Sequence, residues 1–319
     1  MKLSVLQIIA LKSIPGCGNG SILKLQSYAS YRDQHPEIAF DDAVASDECS
    51  ALWQLLQQFH AQKQGAHLIQ CTRDVLKDAI ERARRLVASS GEQGVFPVCF
   101  NDNGFPDNLR NRKPMNGRGT MPVLMWYKGN LSVLSKHKTA VIGTRFPSES
   151  GYRRGEEMGF RLASSDIAVV SGLATGCDTA GHRGALRAGG ATVALLGHGL
   201  DSVYPSENAC LAEEIVRAGG LLMSEYCLGT TVSRRGLIER SCLQAMLSDD
   251  VVVVECSEKS GTFYAANGAL ALGKKLFVAS YTVRQGGERA GNVLLSKKGA
   301  AWVGEDTDWT SVLKESNTK

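Results

Sequence analysis

Beyond residue 138 the chain repeats one pattern. A short apolar run, rich in β-branched residues, stops at a glycine or serine turn, and a longer stretch with apolar positions every three or four residues follows. The short runs are Ala140–Ile142, Ile167–Val170, Thr192–Leu196, Leu221–Met223, Asp250–Glu255, Lys275–Ala279 and Ala300–Val303. The longer stretches predict helices over Gly151–Ala163, Asp178–Ala188, Leu237–Leu247 and Asn292–Lys298. They also predict one that opens at Tyr204–Asn208 and runs to Ala218, and one from Ser260 to Leu272. Short strands alternating with helices of about ten residues predict an α/β fold: an extended Rossmann-like, doubly wound, mostly parallel sheet with helices on both faces.

The first third reads differently. Leu3, Val5, Leu6, Ile9 and Leu11 space a helix that stops at Pro15-Gly16-Cys17-Gly18-Asn19-Gly20, and Ser21 is placed to cap a second over Ile22–Tyr28. Such a hairpin either packs only against its neighbours or offers its turn N–H groups to a DNA phosphate; Lys24 is the one lysine nearby. Two more helices are expected over Ala51–Gln64 and Thr72–Ala88. Arg82, Arg84 and Arg85 stand toward the end of the second, where the helix dipole favours cations, and read as a solvated face. Val95–Phe100 and Pro122–Tyr127 read as strands on either side of a basic loop carrying Arg110, Arg112, Lys113 and Arg118. That loop is either a solvated charge run or a surface that brushes phosphates. The expected organisation is a helical domain over 1–93 and a Rossmann-like domain over 94–319.

Length and composition narrow the picture only slightly. The 319 residues suffice for two domains, and a charged fraction of 21% with a net charge of +4 permits nucleic-acid binding without requiring it. The nine cysteines form no C-x-x-C pair, and no histidine stands at zinc-ligand spacing from them, so neither a metal site nor a disulfide framework is expected. Isolated cysteines suit a reducing cytosol, and a cytoplasmic location is expected. The apolar N-terminus is interrupted by Gln7, Lys12 and Ser13 and reads as a folded helix rather than a signal peptide. No apolar run is long enough to span a membrane.

The candidate chemistry lies at the carboxyl ends of the predicted strands. These carry Gly143-Thr144-Arg145, Ser171-Gly172, Gly197-His198-Gly199, Ser224-Glu225 and Ser260-Gly261-Thr262. Glycines admit a phosphate to the backbone, serine and threonine add hydroxyl donors, and Arg145 supplies a fork for phosphate oxygens. The five ends are expected to line one crevice for an anionic ligand, with Ser260-Gly261-Thr262 at a helix start. Neither a G-x-G-x-x-G turn nor a Walker motif is present, which argues against dinucleotide oxidoreductases and P-loop ATPases. No catalytic set stands out. Asp178 and His182 share a helix face and either pair for acid–base work or serve as an N-cap and a packing group. Glu225 either holds a ribose hydroxyl or a water, or anchors the loop of Arg234, Arg235 and Arg240.

Several of these stretches resemble one family. Val141-Ile142-Gly143-Thr144-Arg145, Ser171-Gly172-Leu173-Ala174-x-Gly176-x-Asp178-x-x-x-His182-Arg183-Gly184-Ala185-Leu186, Leu196-Gly197-x-Gly199-Leu200-Asp201-x-x-Tyr204-Pro205-x-Glu207-Asn208, Ser224-Glu225-Tyr226-x-x-Gly229-Thr230 and Ser260-Gly261-Thr262 are similar, in order, to the motifs of the DNA-processing protein A (DprA/Smf) family. The resemblance implies an extended Rossmann-like fold preceded by a small helical domain of SAM or helix–hairpin–helix type. It also implies a homodimer that binds single-stranded DNA without hydrolysing it, needs no cofactor, and helps load a strand-exchange recombinase during transformation. The site implied is Gly143, Thr144, Arg145, Ser171, Gly172, Ala174, Gly176, Asp178, His182, Arg183, Gly197, Gly199, Glu225, Arg234, Arg235, Arg240, Ser260, Gly261 and Thr262.

This sequence departs from the family where a Phe and an Arg-Asn-Arg motif are usual: Leu237 and Arg240-Ser241-Cys242 stand there. Ser206 replaces an often basic residue, and a winged-helix module is not expected, since the chain ends shortly after Trp309. Three functions therefore follow as expectations. The first is single-stranded DNA binding in DNA processing and recombination. The second is restraint of a partner protein encoded nearby, such as a toxin of a defence module. The third is binding or hydrolysis of a free nucleotide.

Overall fold

The structure is a computed structural model, and it describes residues 1–34, 47–61, 71–110, 121–281, 289–304, 307–308 and 312. Among these, residues 1–110 with 121–125 form one compact unit, and residues from Trp126 onward form another. Of the basic loop only Arg110 falls within the described residues; Arg112, Lys113 and Arg118 lie outside them, as does Trp309.

The first unit holds four helices, α1 (Val5–Lys12), α2 (Asn19–Gln34), α3 (Glu48–Ala61) and α4 (Arg73–Glu92), and the strand β1 (Phe96–Cys99). Ser4 starts α1 through a capping box with Gln7, which satisfies two of the free N–H groups at the helix start. The second helix starts at Asn19, so Ser21 is a buried residue inside it rather than its cap. Helix α4 runs on to Glu92, which places Arg82, Arg84 and Arg85 near its middle, away from the favourable end of the dipole. Arg84 instead pairs with Glu81 at 2.7 Å. Buried Gln26 accepts from the Leu3 amide at 2.8 Å and from the Asn101 side chain at 2.9 Å, and so ties three segments together.

From the border between the two units onward, short apolar runs make the strands. They are β2 (Leu124–Gly129), β3 (Lys138–Ile142), β4 (Ala168–Ser171), β5 (Thr192–Leu196), β6 (Leu221–Ser224), β7 (Asp250–Val253), β8 (Lys275–Ala279) and β9 (Ala301–Val303). The order is β2-β6-β5-β4-β3-β7-β8-β9. Only the β2–β6 pair is antiparallel, with Trp126 opposite Ser224. The helices are α5 (Glu149–Ser164), α6 (Cys177–Arg187), α7 (Ala209–Arg217), α8 (Arg234–Leu247), α9 (Gly261–Ala271) and α10 (Ala290–Lys297). The mostly parallel α/β sheet expected from the sequence is thus present. From β3 the chain winds one way through β4, β5 and β6, and from β7 the other way through β8 and β9. Between β3 and β7 the strand order reverses, which is where open α/β sheets place a ligand. No helix among the described residues is long and apolar enough to cross a membrane.

Candidate nucleic-acid interface at the strand ends

Two loops meet at the reversal point, and backbone bonds stitch them together. Val254 N donates to Ile142 O at 2.9 Å, and Thr144 N donates to Glu255 O at 2.8 Å. Thr262 Oγ1 donates to Gly143 O at 2.9 Å, so the first turn of α9 is pinned beside the loop after β3. Gly143 has no room for a side chain: a Cβ there would lie 2.4 Å from Cys177 Sγ. Gly176 enters α6 with φ +79°, and a Cβ on it would meet Thr144 O at 2.5 Å. Both glycines are needed for close approach, as the motifs require.

Helix α6 begins at Cys177, with Gly176 in the cap position and no side chain capping it. Asp178 is therefore not the N-cap. Its carboxylate accepts from Gly172 N at 3.2 Å and Ala174 N at 3.4 Å and closes the turn that follows β4. The same oxygen pairs with Arg240 Nη1 at 3.1 Å, both partners being buried. Burial raises the Asp178 carboxyl and lowers the Arg240 guanidinium, while each partner's charge opposes that drift. Arg240 lies so close over Gly172 that a Cβ there would fall 1.0 Å from Nη1. This arginine is buried and engaged within the fold.

His182 does not pair with Asp178 for acid–base work. Its Nδ1 is bonded to Thr192 Oγ1 at 2.7 Å, and Thr192 in turn donates to Val169 O at 2.8 Å. The ring is fully buried, which depresses its pKa to about 3 and keeps it neutral. Ser171 is buried too and donates to Val141 O at 2.6 Å. Ala174 O accepts from the Thr179 hydroxyl at 2.8 Å.

The end of β5 is closed by α8. A Cβ on Gly197 would meet Gly236 O at 2.6 Å, and one on Gly199 would meet Asp201 Oδ1 at 2.4 Å. Ser224 Oγ donates to His198 O at 2.7 Å, and half-buried Glu225 follows it. Ser260 spends its hydroxyl as the cap of α9, accepting from Phe263 N at 3.2 Å. The five ends do lie side by side in the sheet. Over β4 and β5, however, α8 fills the space expected for a ligand.

What reaches solvent is mostly arginine. Arg145 follows β3, and Arg234 and Arg235 form the first turn of α8, all exposed. Arg235 pairs with Glu239 at 2.7 Å. Arg145 and Arg234 have no carboxylate partner among the described residues. Arg183 is exposed as well, but it stands about 9 Å along α6 from its start, away from the strand ends. Two further groups are not marked by the sequence motifs. Glu255, fully buried just beyond β7, accepts from Ser148 N at 2.9 Å, Ser148 Oγ at 2.7 Å and Arg289 Nε at 2.7 Å. Phe146, beside Arg145, is 82% exposed. A charged residue closing a β-branched run is the available signal for Glu255; nothing in hydropathy marks Phe146 as exposed. No three His, Cys, Asp or Glu side chains gather as a metal set among the described residues.

The sequence profile of the family described as DNA recombination-mediator protein A matches residues 97–314. The chain belongs to this family. It is 35% identical over 165 residues to the DNA processing protein DprA of Streptococcus pneumoniae, covering 52% of this chain and 58% of that one. It is 33% identical over 184 residues to Protein Smf of Escherichia coli, covering 58% and 49%. The chain thus spans about half the length of the curated relatives it matches. Among solved structures, S. pneumoniae DprA superimposes with a TM-score of 0.74 at 28% identity, over 99% of both chains. DNA processing protein A from Helicobacter pylori, a structure described for its single-stranded DNA binding mode, superimposes with a TM-score of 0.59 at 27% identity, over 69% of this chain and 96% of that one. The DprA/Smf resemblance carried by the strand-end motifs therefore holds, and those motifs fall on the turns described above.

Proposed function

We propose that this DprA/Smf-family chain binds single-stranded DNA without altering it chemically, and acts in DNA processing and recombination. The observation that carries the reading is the pair Arg145 and Arg234. Both are exposed, and neither has a carboxylate partner among the described residues; Arg145 follows β3, and Arg234 opens the helix whose Gly236 packs on Gly197 at the end of β5. Arg234 and Arg235 also occupy the first turn of α8, the end where the helix dipole disfavours cations, so their placement serves something other than helix stability. Arg235 joins them in this reading, because an exposed ion pair with Glu239 is weak enough to yield to a phosphate. The solved H. pylori relative supports single-stranded DNA as the ligand class. Asp178 and His182, the groups considered for hydrolysis, are buried and engaged within the fold, which supports binding over turnover. In its fuller form the reading has a homodimer pass the strand to a strand-exchange recombinase.

The test is fluorescence anisotropy with a labelled single strand of about 30 nucleotides, longer than the roughly 4–16 nucleotides that a single-strand-binding OB fold covers. Wild type is expected to bind with strong salt dependence. Arg145→Ala is expected to bind about tenfold more weakly, its salt slope smaller by about 0.7 for each phosphate that the arginine neutralises. Absence of binding at low salt, with a stable one-to-one complex with a neighbouring gene's product, would replace this reading by the partner-restraint one.

A further inference from the structure

A phenylalanine 82% exposed in a folded loop leaves most of its apolar surface in water. Slackness does not account for Phe146, because the loop is tied on both sides of it. Thr144 N donates to Glu255 O at 2.8 Å, and Cys177 N donates to Thr144 O at 3.1 Å. Phe146 N itself donates to Thr144 Oγ1 at 3.2 Å. On the far side Ser148 is bonded to the Glu255 carboxylate through both its amide and its hydroxyl, and Arg289 holds that carboxylate in place. The fold therefore holds an apolar ring out into solvent.

Arg145, next to Phe146 in the loop, is exposed and without a carboxylate partner among the described residues. The nearest exposed carboxylate along the loop, Glu149, is occupied by Arg153 at 3.6 Å. A lone exposed ring with a cation beside it does not make the continuous apolar patch that a protein partner would cover. The pair does match a polymer that carries flat apolar faces along an anionic chain.

The geometry points to Phe146 as a base-stacking residue for single-stranded DNA. This rests on the DNA-binding reading above and deepens it: Arg145 takes the phosphate and Phe146 takes the base face. Stacking of this kind is tolerant of sequence, because every base has a π-face.

The experiment compares two labelled ligands, an oligothymidine strand and an equally long strand of stable abasic sites, against wild type, Phe146→Ala, Phe146→Trp and Arg145→Ala. Phe146→Ala is expected to bind oligothymidine about tenfold more weakly than wild type. Its salt slope, its binding to the abasic strand and its thermal unfolding should be unchanged, since the ring is exposed. Phe146→Trp is expected to restore affinity and to report stacking by quenching of the new indole. Equal binding of oligothymidine by Phe146→Ala and wild type overturns the assignment. So does an equal loss on both strands, since that places the effect on the backbone. Failure of wild type to bind either strand at low salt is a distinct result that removes the DNA-binding reading and this assignment with it.

Discussion

Arg145 and Arg240 stand at the ends of neighbouring strands, β3 and β4, and carry the same charge to opposite purposes. Arg240 lies flat over Gly172, paired with Asp178 and shut away from solvent. Arg145 projects from a tied loop, with no carboxylate partner among the described residues. A carboxylate within 3.1 Å turns one arginine into part of the scaffold, and the lack of one among the described residues leaves the other exposed. Residue type alone does not separate these roles; the supply of counter-charge within the fold does.

The strongest way to break the comparison is to remove the space that Arg240 occupies. Gly172→Val places a side chain where the guanidinium lies, and the expected outcome is loss of folded protein, checked by soluble yield and circular dichroism. Next is Arg240→Ala, which leaves Asp178 buried without its partner. A loss of about 3–5 kcal/mol is expected by urea denaturation, while the double change Asp178→Asn with Arg240→Met, which keeps an acceptor for the Gly172 and Ala174 amides, is expected to recover part of it. If Arg240→Ala instead left stability intact and abolished DNA binding, the two arginines would not differ in the way described.

A smaller effect comes from the histidine below the same turn. The folded-state pKa of His182 is depressed to about 3, against 6.5 in the unfolded chain. Between these values the unfolded state binds a proton that the folded state does not. Stability from this group is therefore complete above pH 6.5 and falls as pH drops toward 3. His182→Asn should flatten the unfolding midpoint's dependence on pH across that window. His137 works in the other direction. Its bond to Asp250 at 2.7 Å raises its pKa, so its contribution is complete below 6.5 and is lost as pH rises through the folded value. The smallest expected change in stability is that of Arg145→Ala, within about 0.5 kcal/mol by the same urea measurement, because the side chain is exposed and has no ion-pair partner among the described residues.

The alternation of strands and helices in the second unit was legible because β-branched runs and glycine turns mark it directly. The predicted spans Thr192–Leu196 and Lys275–Ala279 coincide with β5 and β8. The buried face of α8 was not legible. Its helix starts at Arg234, three residues before the expected start, and Gly236, Arg240, Leu243, Gln244 and Leu247 fall on the buried side. That stripe has helical spacing but contains an arginine and a glutamine, so a hydropathy reading passes over it. The cap at Asp178 failed for a related reason. A residue of the cap type is equally able to close a preceding turn, and only the positive φ of Gly176 decides which amide groups the carboxylate meets. The strand-end motifs thus fall on the turns at the carboxyl ends of the strands, while the burial of many of their side chains required the packing of α8.

The double tie of the loop after β3, at Thr144 and at Ser148, bears on how fast and how economically a ligand is held. Ordering the backbone of a single residue takes about 1–2 kcal/mol of conformational entropy. In the segment from Thr144 to Ser148 that ordering is already complete before any ligand arrives, through bonds to Glu255, Cys177 and Arg289. On the proposed binding mode, a strand has only the side-chain torsions of Arg145 and Phe146 to fix. Capture should resemble docking onto a finished surface more than folding around a guest, with an association rate set by diffusion and charge and a heat capacity change no larger than the buried area accounts for.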